Sequence, residues 1–267
     1  MLPVAVKLVA LDIDGTIVRP GEDVPSPRLT AAVGALQSAG VVVVLASGRM
    51  FPGTAAVARH LGLHAPVICQ QGCSVHTLDG GIIHEFPIDH AAALRVVGYA
   101  RVLDRAYEWF NPVRYIVSRE GPATAEYGRV SGITVECMDY PERSGLPATG
   151  VGIISTRVEA PEIHRALVRQ FGETLHLLDF PEVTVAVAPD ANKGHALSLI
   201  CADFGIERAD VVAIGDSVND AAMLAWARRG IALAHSDAYA MDAADEVLAE
   251  NDGEPVAEFL EDLLRLV

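Results

Sequence analysis

The sequence predicts an α/β fold in which a doubly wound parallel sheet receives an inserted domain of α+β type. Three observations favour this fold class. Near-continuous apolar runs alternate with Ala/Leu-rich segments of helical spacing over residues 4–69. The same alternation returns after residue 192. The stretch between them shows short β-like runs and Pro/Gly turns, which are typical of a separate α+β unit.

The N-terminal elements follow a strand–loop–helix order that occurs twice and then leads into a third strand. Apolar runs of this kind indicate strands buried on both faces, and a glycine ends each helix, at Gly40 and Gly62. The order implies right-handed crossovers within one sheet. The predicted strands are Val4–Leu11, Val41–Ala46 and Val67–Cys69, and the predicted helices are Arg28–Ala39 and Thr54–Leu61.

The central segment opens with a predicted hairpin over Val75–Phe86, which turns at Asp79-Gly80-Gly81. A helix is predicted over Asp89–Arg105, and one more helix lies among short strands. We therefore assign residues 85–188 to an inserted domain, and residues 1–84 and 189–267 to the core. The strands predicted in the insert are Tyr115–Ser118, Gly150–Ser155 and Val183–Ala188, and its later helix is Pro161–Phe171.

The C-terminal segment returns to the alternation of the core. Its short apolar runs are bounded by polar loops, as parallel strands require, and its last element has helical spacing. The predicted helices are Lys193–Phe204, Asp220–Arg229 and Val256–Leu266, and the predicted strands are Val211–Ile214 and Ile231–Leu233.

The composition of the 267-residue chain excludes several classes of function. Its formal net charge of −15 disfavours binding to nucleic acid, which needs a basic face, and its apolar runs are too short for a membrane span. Four scattered cysteines contain no CxxC pair, so reduced thiols rather than a zinc site are expected. The apolar start runs directly into Asp12 without a basic leader or cleavage site, so we expect a buried strand and a cytoplasmic protein.

Two pairs of carboxylates follow predicted strands. Asp12 and Asp14 come after the first strand, and side chains two positions apart share a face, so both point into one crevice. Gly15 permits a sharp turn beside a ligand. Asp216 and Asp220 follow the strand at 211–214. Ligands of open parallel sheets bind at this edge, and oxygen donors without His or Cys favour magnesium over zinc. A lone Asp-x-Asp-Gly is equally typical of a turn, but the second pair weakens that interpretation.

Two further polar residues lie near the same edge. Ser47 follows the second strand, where its hydroxyl and the neighbouring backbone N–H groups could hold a phosphate. Lys193 opens a helix, where its charge opposes the helix dipole and therefore suggests an anionic partner. Taken singly, Ser47-Gly48-Arg49 is more typical of a plain loop, and Lys193 is equally typical of a solvated surface residue.

Taken together, four motifs in this order resemble those of the haloacid dehalogenase superfamily. The motifs are Asp12-Ile-Asp-Gly-Thr16, Ser47-Gly-Arg49, Lys193-Gly194 and Gly215-Asp-Ser-Val-Asn-Asp220. The long insert resembles the type-2 cap of the Cof-like subclass IIB. The resemblance implies a Rossmann-like core with a mobile α+β cap. It also implies a Mg²⁺-dependent phosphatase that acts on small phosphorylated metabolites, such as sugar or cofactor phosphates.

The resemblance also implies roles for individual residues. Asp12 is the nucleophile and becomes an aspartyl-phosphate. Asp14 protonates the leaving oxygen and then deprotonates the attacking water. Lys193 offsets the charge of the transferring phosphoryl group. Asp14 favours hydrolysis over dehalogenation, because dehalogenases of this superfamily lack the second acid.

The remaining roles concern phosphate and metal. By the same resemblance, magnesium is bound by Asp12, Asp216 and the backbone carbonyl of Asp14, and Asp220 orients these ligands. The phosphate contacts are expected from Ser47, Gly48, Arg49 and Asn219.

Three positions depart from the subclass pattern. Gln71-Gly72-Cys73 replaces a frequent Asn-Gly-Ala, His235-Ser236 replaces Asn-Ala, and Met241 occupies a frequent lysine position. None of them removes a catalytic group, and all of them bear on substrate contact.

Other functions are compatible with parts of this pattern. A phosphomutase or phosphotransferase would use the same nucleophile, and a phosphometabolite-binding protein would keep the site without turnover. A receiver-like signalling domain also pairs acids with a distant lysine, but such domains are shorter and lack an insert. In the insert, Trp109, Phe110, Arg114 and Tyr115 could line a substrate pocket or form the core of the cap.

Overall fold

The computed structural model describes residues 6–249 and 254–265. The start of the predicted strand Val4–Leu11 lies outside the described residues, as does Leu266 of the predicted last helix. The strands in chain order are β1 (Leu8–Leu11), β2 (Val42–Leu45), β3 (Val67–Cys69), β4 (Ser74–His76), β5 (Ile82–Glu85), β6 (Tyr107–Phe110), β7 (Tyr115–Val117), β8 (Val135–Cys137), β9 (Gly150–Ile154), β10 (His176–Asp179), β11 (Val183–Val187), β12 (Val211–Ile214), β13 (Arg229–Leu233) and β14 (Glu246–Leu248). The α-helices are α1 (Pro27–Ser38), α2 (Phe51–His60), α3 (His90–Val102), α4 (Pro122–Ser131), α5 (Ala160–Phe171), α6 (Lys193–Asp203), α7 (Ala221–Trp226), α8 (Ala238–Ala243) and α9 (Pro255–Leu264).

The core is a five-stranded parallel sheet in the order β14-β13-β12-β1-β2. Side chains alternate across it: Val9 and Leu11 pack under α1, α2 and α9, whereas Leu8 and Ala10 pack under α6, α7 and α8. All four residues of β1 are buried, because helices cover both faces of the sheet. The predicted doubly wound core is therefore confirmed.

The third strand extends this core and leads into the hairpin. A parallel bridge joins Ala46 to Ile68, which sets β3 beside the end of β2. β3 then pairs antiparallel with β4, and β4 pairs with β5. The hairpin predicted over Val75–Phe86 is confirmed, and its second strand ends at Glu85, next to the predicted start of the insert.

A second sheet lies in the insert, with the strand order β10-β11-β9-β6-β7-β8. Its pairs are antiparallel except for β7 with β8. Helices α3 and α5 pack on one face. The other face carries apolar residues that pack against Met50 and Cys73 of the core. We call this six-stranded sheet with its helices the cap.

The sequence pattern missed several elements. One helix was expected after residue 107 of the insert, but α4 lies there as well as α5; its sequence, with Pro122, Gly128 and few large apolar residues, gives a weak helical pattern. Strands β6, β8 and β10, and also α8 and β14, were not predicted. The helix predicted over Asp220–Arg229 is wrong at its end: α7 stops at Trp226, and Arg229 begins β13.

The helices of the described ranges are all too short or too polar to cross a membrane.

Candidate active site

The predicted site residues meet at the carboxyl edge of the core sheet. β1 lies between β2 and β12, so the loops after these three strands are neighbours. Asp12 follows β1, Ser47 follows the end of β2, and Asp216 follows β12. The N-terminus of α6 brings Lys193 to the same place. The topology therefore brings together residues that are up to about 200 positions apart, as in Thr16 and Asp216, whose side chains are joined by a hydrogen bond of 3.0 Å.

Lys193 forms the centre of a buried ionic cluster. Its Nζ lies 2.6 Å from Asp12 Oδ1 and 2.6 Å from Asp220 Oδ1, and its side chain is fully buried. Burial alone would lower the pKa of Lys193, but the two carboxylates outweigh it and raise that pKa above its usual value. The lysine therefore stays charged, and the interpretation of Lys193 as a solvated surface residue is wrong.

Asp220 is held on both carboxylate oxygens. While Oδ1 accepts from Lys193, Oδ2 accepts hydrogen bonds of 3.0 Å from the backbone N–H groups of Asp216 and Ser217. A carboxylate so occupied fixes the loop after β12 and the position of the lysine. This arrangement suits an orienting residue better than a direct metal ligand.

Three carboxylates converge where a cation could bind. Oxygen atoms of Asp12, Asp216 and Asp220 lie within 4.8 Å of one another. Burial and the nearby Asp220 raise the pKa of Asp12 well above its usual value, although Lys193 opposes this. Burial and Asp220 likewise raise the pKa of Asp216 to about 6. One lysine among three carboxylates leaves an excess of negative charge, and an all-oxygen set of this kind fits a hard divalent cation.

The carboxylate of Asp14 lies outside this cluster and pairs with Arg49. Arg49 donates from Nε to Oδ2 at 2.8 Å and from a terminal nitrogen to Oδ1 at 2.5 Å. The Asp14 side chain is 50% exposed, whereas that of Arg49 is 6% exposed. The guanidinium expected at the phosphate thus binds the second acid, in the two-pronged geometry typical of Arg and carboxylate.

Ser47 and Gly48 form a tight loop after β2. The buried Ser47 Oγ accepts a hydrogen bond from the backbone N–H of Arg49 at 3.1 Å, which leaves its own proton free to be donated. A Cβ atom on Gly48 would lie 2.8 Å from the side-chain amide of Gln71. A larger residue at position 48 would therefore displace the end of the Gln71 side chain from its present position.

Gln71 and Asn219 connect this loop with the loop after β12. Asn219 Nδ2 donates to Gln71 Oε1, and Ser217 Oγ donates to Asn219 Oδ1 at 2.6 Å. Gln71 adopts a left-handed backbone conformation with φ of 65°. Of the three departures from the subclass pattern, Gln71 lines the site, and His235 contacts the carbonyl of Gly15 at 2.9 Å. Met241 lies on α8 and is 36% exposed.

A cavity of about 290 Å³ joins the core edge to the cap. On the core side it is lined by Asp12, Asp14, Gly48, Arg49, Gln71, Ser217 and Asn219. On the cap side it is lined by Glu108, Phe110, Ala123, Tyr127, Val130, Phe180, Val183 and Val185, which we call the cap wall. All polar residues proposed for phosphate contact, apart from the buried Ser47 and Lys193, therefore face one chamber.

Only one of the four insert residues named from the sequence lines this cavity. Phe110 does, whereas Trp109 packs in the cap core and donates from Nε1 to the carbonyl of Leu146. Arg114 pairs with Glu136, and Tyr115 donates its hydroxyl to Glu108. Glu108 was missed; period-two alternation along β6 puts it on the same face as Phe110, and this pattern was the available signal.

Comparisons with known proteins agree with this geometry. A model of the haloacid dehalogenase-like hydrolase family matches residues 9–260. A protein of Haemophilus influenzae named "Putative phosphatase" is 25% identical over 262 residues, with 95% of each chain covered. The fold resembles a haloacid dehalogenase-like hydrolase of Bacteroides thetaiotaomicron, with a TM-score of 0.81, 22% identity, and 97% of this chain and 99% of the other covered. It also resembles a subclass IIB sugar phosphatase, with a TM-score of 0.83, 17% identity, and 98% and 100% covered. The family model spans most of the chain and all four motifs, and the chain belongs to the haloacid dehalogenase-like hydrolase family.

Proposed function

We propose that this chain is a magnesium-dependent phosphatase that hydrolyses small phosphorylated metabolites through an aspartyl-phosphate on Asp12. One observation supports the proposal above all others. Asp12 is held by the buried ammonium of Lys193 at 2.6 Å, and it lines the same cavity as Asp14, the second acid. A nucleophile and a proton donor facing one chamber, with a fixed positive charge beside them, are what phosphoryl transfer requires.

The donor set fits magnesium. Asp12, Asp216 and the backbone carbonyl of Asp14 would hold the ion, whose charge would stabilise the phosphoryl oxygens during transfer. The raised pKa values of Asp12 and Asp216 follow from carboxylates crowded in a buried place, and a cation would relieve this crowding. Asp220 would keep its contacts to Lys193 and to the loop after β12.

The reaction has two steps. A carboxylate oxygen of Asp12 forms a bond to phosphorus while the bond from phosphorus to the alcohol oxygen breaks, and Asp14 gives that oxygen its proton. A water molecule then loses a proton to Asp14 and attacks the same phosphorus, so that inorganic phosphate leaves and the carboxylate of Asp12 is restored.

The pair of Asp14 with Arg49 bears on the first step. Arg49 occupies both oxygens of Asp14, so Asp14 becomes available for proton transfer only when the guanidinium turns away. An incoming phosphate would compete with Asp14 for that guanidinium, because two phosphate oxygens can accept hydrogen bonds from the same pair of Arg49 N–H groups. Phosphate binding would thus release Asp14, while Ser47, the Gly48 loop and Asn219 complete the phosphate contacts.

The cap gives the proposed substrate class. We propose that residues 85–188 form the inserted cap domain, which limits access so that small molecules rather than nucleic acid or phosphoproteins reach Asp12. A cavity of about 290 Å³ has the scale of a small metabolite. All four cysteines are free thiols, which supports a reducing, cytoplasmic setting.

The test is magnesium-dependent release of inorganic phosphate from a panel of small phosphoesters. We expect release by the wild-type chain, loss with EDTA, recovery on adding magnesium, and loss in Asp12→Asn. Asp203→Asn, on the exposed side of α6, is the matched control and should retain activity. Release that persists in Asp12→Asn would overturn the assignment of the nucleophile, and no release from any member would overturn the proposed activity.

A further inference from the structure

The cap wall differs in chemistry from the core side of the cavity. Its aromatic and aliphatic side chains are Phe110, Ala123, Tyr127, Val130, Phe180, Val183 and Val185. Among the described residues of the cap wall, Glu108 is the single charged side chain. The Tyr127 hydroxyl already donates to the carbonyl of Gly48 at 3.0 Å, so little polar surface remains there for a ligand.

Glu108 is a buried part of this wall, and specific contacts hold its carboxylate in place. It is 4% exposed, and its Oε1 accepts a hydrogen bond from the hydroxyl of Tyr115 on the neighbouring strand. Its Oε2 has no hydrogen-bond partner within residues 6–249 and 254–265. Opposite it in the register lies Gly152, where a Cβ would come within 2.1 Å of Oε2. The absent side chain of Gly152 makes the room that the carboxylate occupies.

A half-satisfied carboxyl group in apolar surroundings calls for a partner. Burial raises the pKa of Glu108 to about 7, and only Tyr115 opposes this shift. Burial and Glu108 in turn raise the pKa of Tyr115, so its hydroxyl stays protonated and donates to Oε1 of Glu108. Because Glu108 lines the cavity, a ligand that fills the cavity displaces water from Oε2 and must itself supply the donor that this oxygen accepts.

We propose that the cap wall selects phosphomonoesters whose leaving group is a compact, mostly apolar alcohol with one O–H or N–H donor, which Oε2 of Glu108 accepts. The inference rests on the proposed function, because it assumes that the phosphoryl end lies at Asp12. A sugar or polyol phosphate fits this wall poorly, since most of its hydroxyls would lose water and find no partner. An aromatic or aliphatic ring fits the wall by area and shape.

The experiment compares four phosphomonoesters by kcat/KM: 3-hydroxybenzyl phosphate, benzyl phosphate, glucose 6-phosphate and glycerol 3-phosphate. We expect the hydroxybenzyl ester to exceed the benzyl ester about tenfold, as one buried hydrogen bond allows, and both to exceed the two polyol esters. In Glu108→Leu the two aromatic esters should become equal. Glu136→Leu, in the same sheet but away from the cavity, should keep the wild-type order.

Dissociation constants for the same four esters, measured with Asp12→Asn, separate the two proposals. Turnover without preference, or with preference for polyols, overturns the inference and leaves the phosphatase standing. No turnover, but binding in the expected order, overturns the phosphatase and supports the inference. Neither turnover nor binding overturns both. The order of kcat/KM for the four esters is measured with the wild-type chain. The inference can therefore be tested even if Glu108→Leu fails to fold.

Discussion

Replacing Glu108 by glutamine should change how the stability of the chain depends on pH. The folded chain raises the pKa of this carboxyl from an ordinary 4.5 to about 7, chiefly by burial. Between these values the folded state therefore holds more protons than the unfolded state, and stability falls as pH rises through that window. A tenfold change in proton affinity is worth about 1.4 kcal/mol, so the full cost of ionising Glu108 is roughly 3 kcal/mol.

Most of that cost develops between pH 5 and pH 8, where linkage lowers the free energy of unfolding by roughly 2 kcal/mol. Glutamine keeps an acceptor for Tyr115 and has no charge. The free energy of unfolding of Glu108→Gln, relative to wild type, should therefore rise by roughly 2 kcal/mol from pH 5 to pH 8. Urea unfolding at both pH values, followed by circular dichroism and by tryptophan fluorescence, measures it.

The control is Glu136→Gln, since Arg114 lowers the pKa of the partly exposed Glu136. Its pH dependence should be small and of opposite sign. A relative stability of Glu108→Gln that stays constant across pH would disprove the raised pKa, because Glu108 would then ionise as readily in the folded chain as in the unfolded one.

Three further predictions concern the core and its contact with the cap. Lys193→Met leaves two buried carboxylates without their counter-ion, and in metal-free buffer it should lower the free energy of unfolding by about 3–5 kcal/mol in urea titrations. Asp216→Asn removes a crowded carboxylate, so its metal-free melting temperature should rise and added magnesium should no longer raise it further; an unchanged magnesium response would contradict the ligand set. Gly53→Ala puts a Cβ 2.2 Å from the carbonyl oxygen of Val130, so it should displace α4 from α2 and lower kcat/KM. The control is Gly34→Ala, whose Cβ would meet no tertiary neighbour within 4 Å. This variant should retain activity, and its free energy of unfolding should rise by up to about 1 kcal/mol.

The core and its edge could be predicted because the responsible signals are local. Strands β1, β2 and β12 are apolar runs of four residues, and three of the four motifs follow one of these strands within a few positions. Parallel topology then brings the strand ends together without further information. Asp12 and Asp216 could for this reason be expected at one place, whereas Lys193 was expected there from the resemblance of the four motifs.

The cap could be predicted only in outline. Its strands are three to five residues long, and β7 pairs with β8 in parallel across α4, a helix with a weak pattern. Which residues of β6 face the cavity depends on register, and a shift by one position would exchange Glu108 and Phe110 for Tyr107 and Trp109. Composition pointed to Trp109 as readily as to Phe110.

The pairing of Arg49 with Asp14 could not be predicted from the sequence for a different reason. A guanidinium near both a carboxylate and an expected phosphate can pair with either, and motif spacing does not distinguish them. The geometry shows the pair with Asp14. Gln71 is a second case: its side chain lies against Gly48 and accepts a hydrogen bond from Asn219, and motif spacing indicates neither contact.

Chemical trapping of the phosphorylated residue would decide whether Asp12 is the nucleophile. The chain is quenched with acid during turnover of a hydrolysed ester with magnesium, reduced with borohydride, and digested for mass spectrometry. We expect Asp12 alone to be reduced to homoserine, in amounts that require both ester and magnesium. Phosphate release with Asp12 unmodified, or reduction at another carboxylate, would contradict the proposed mechanism.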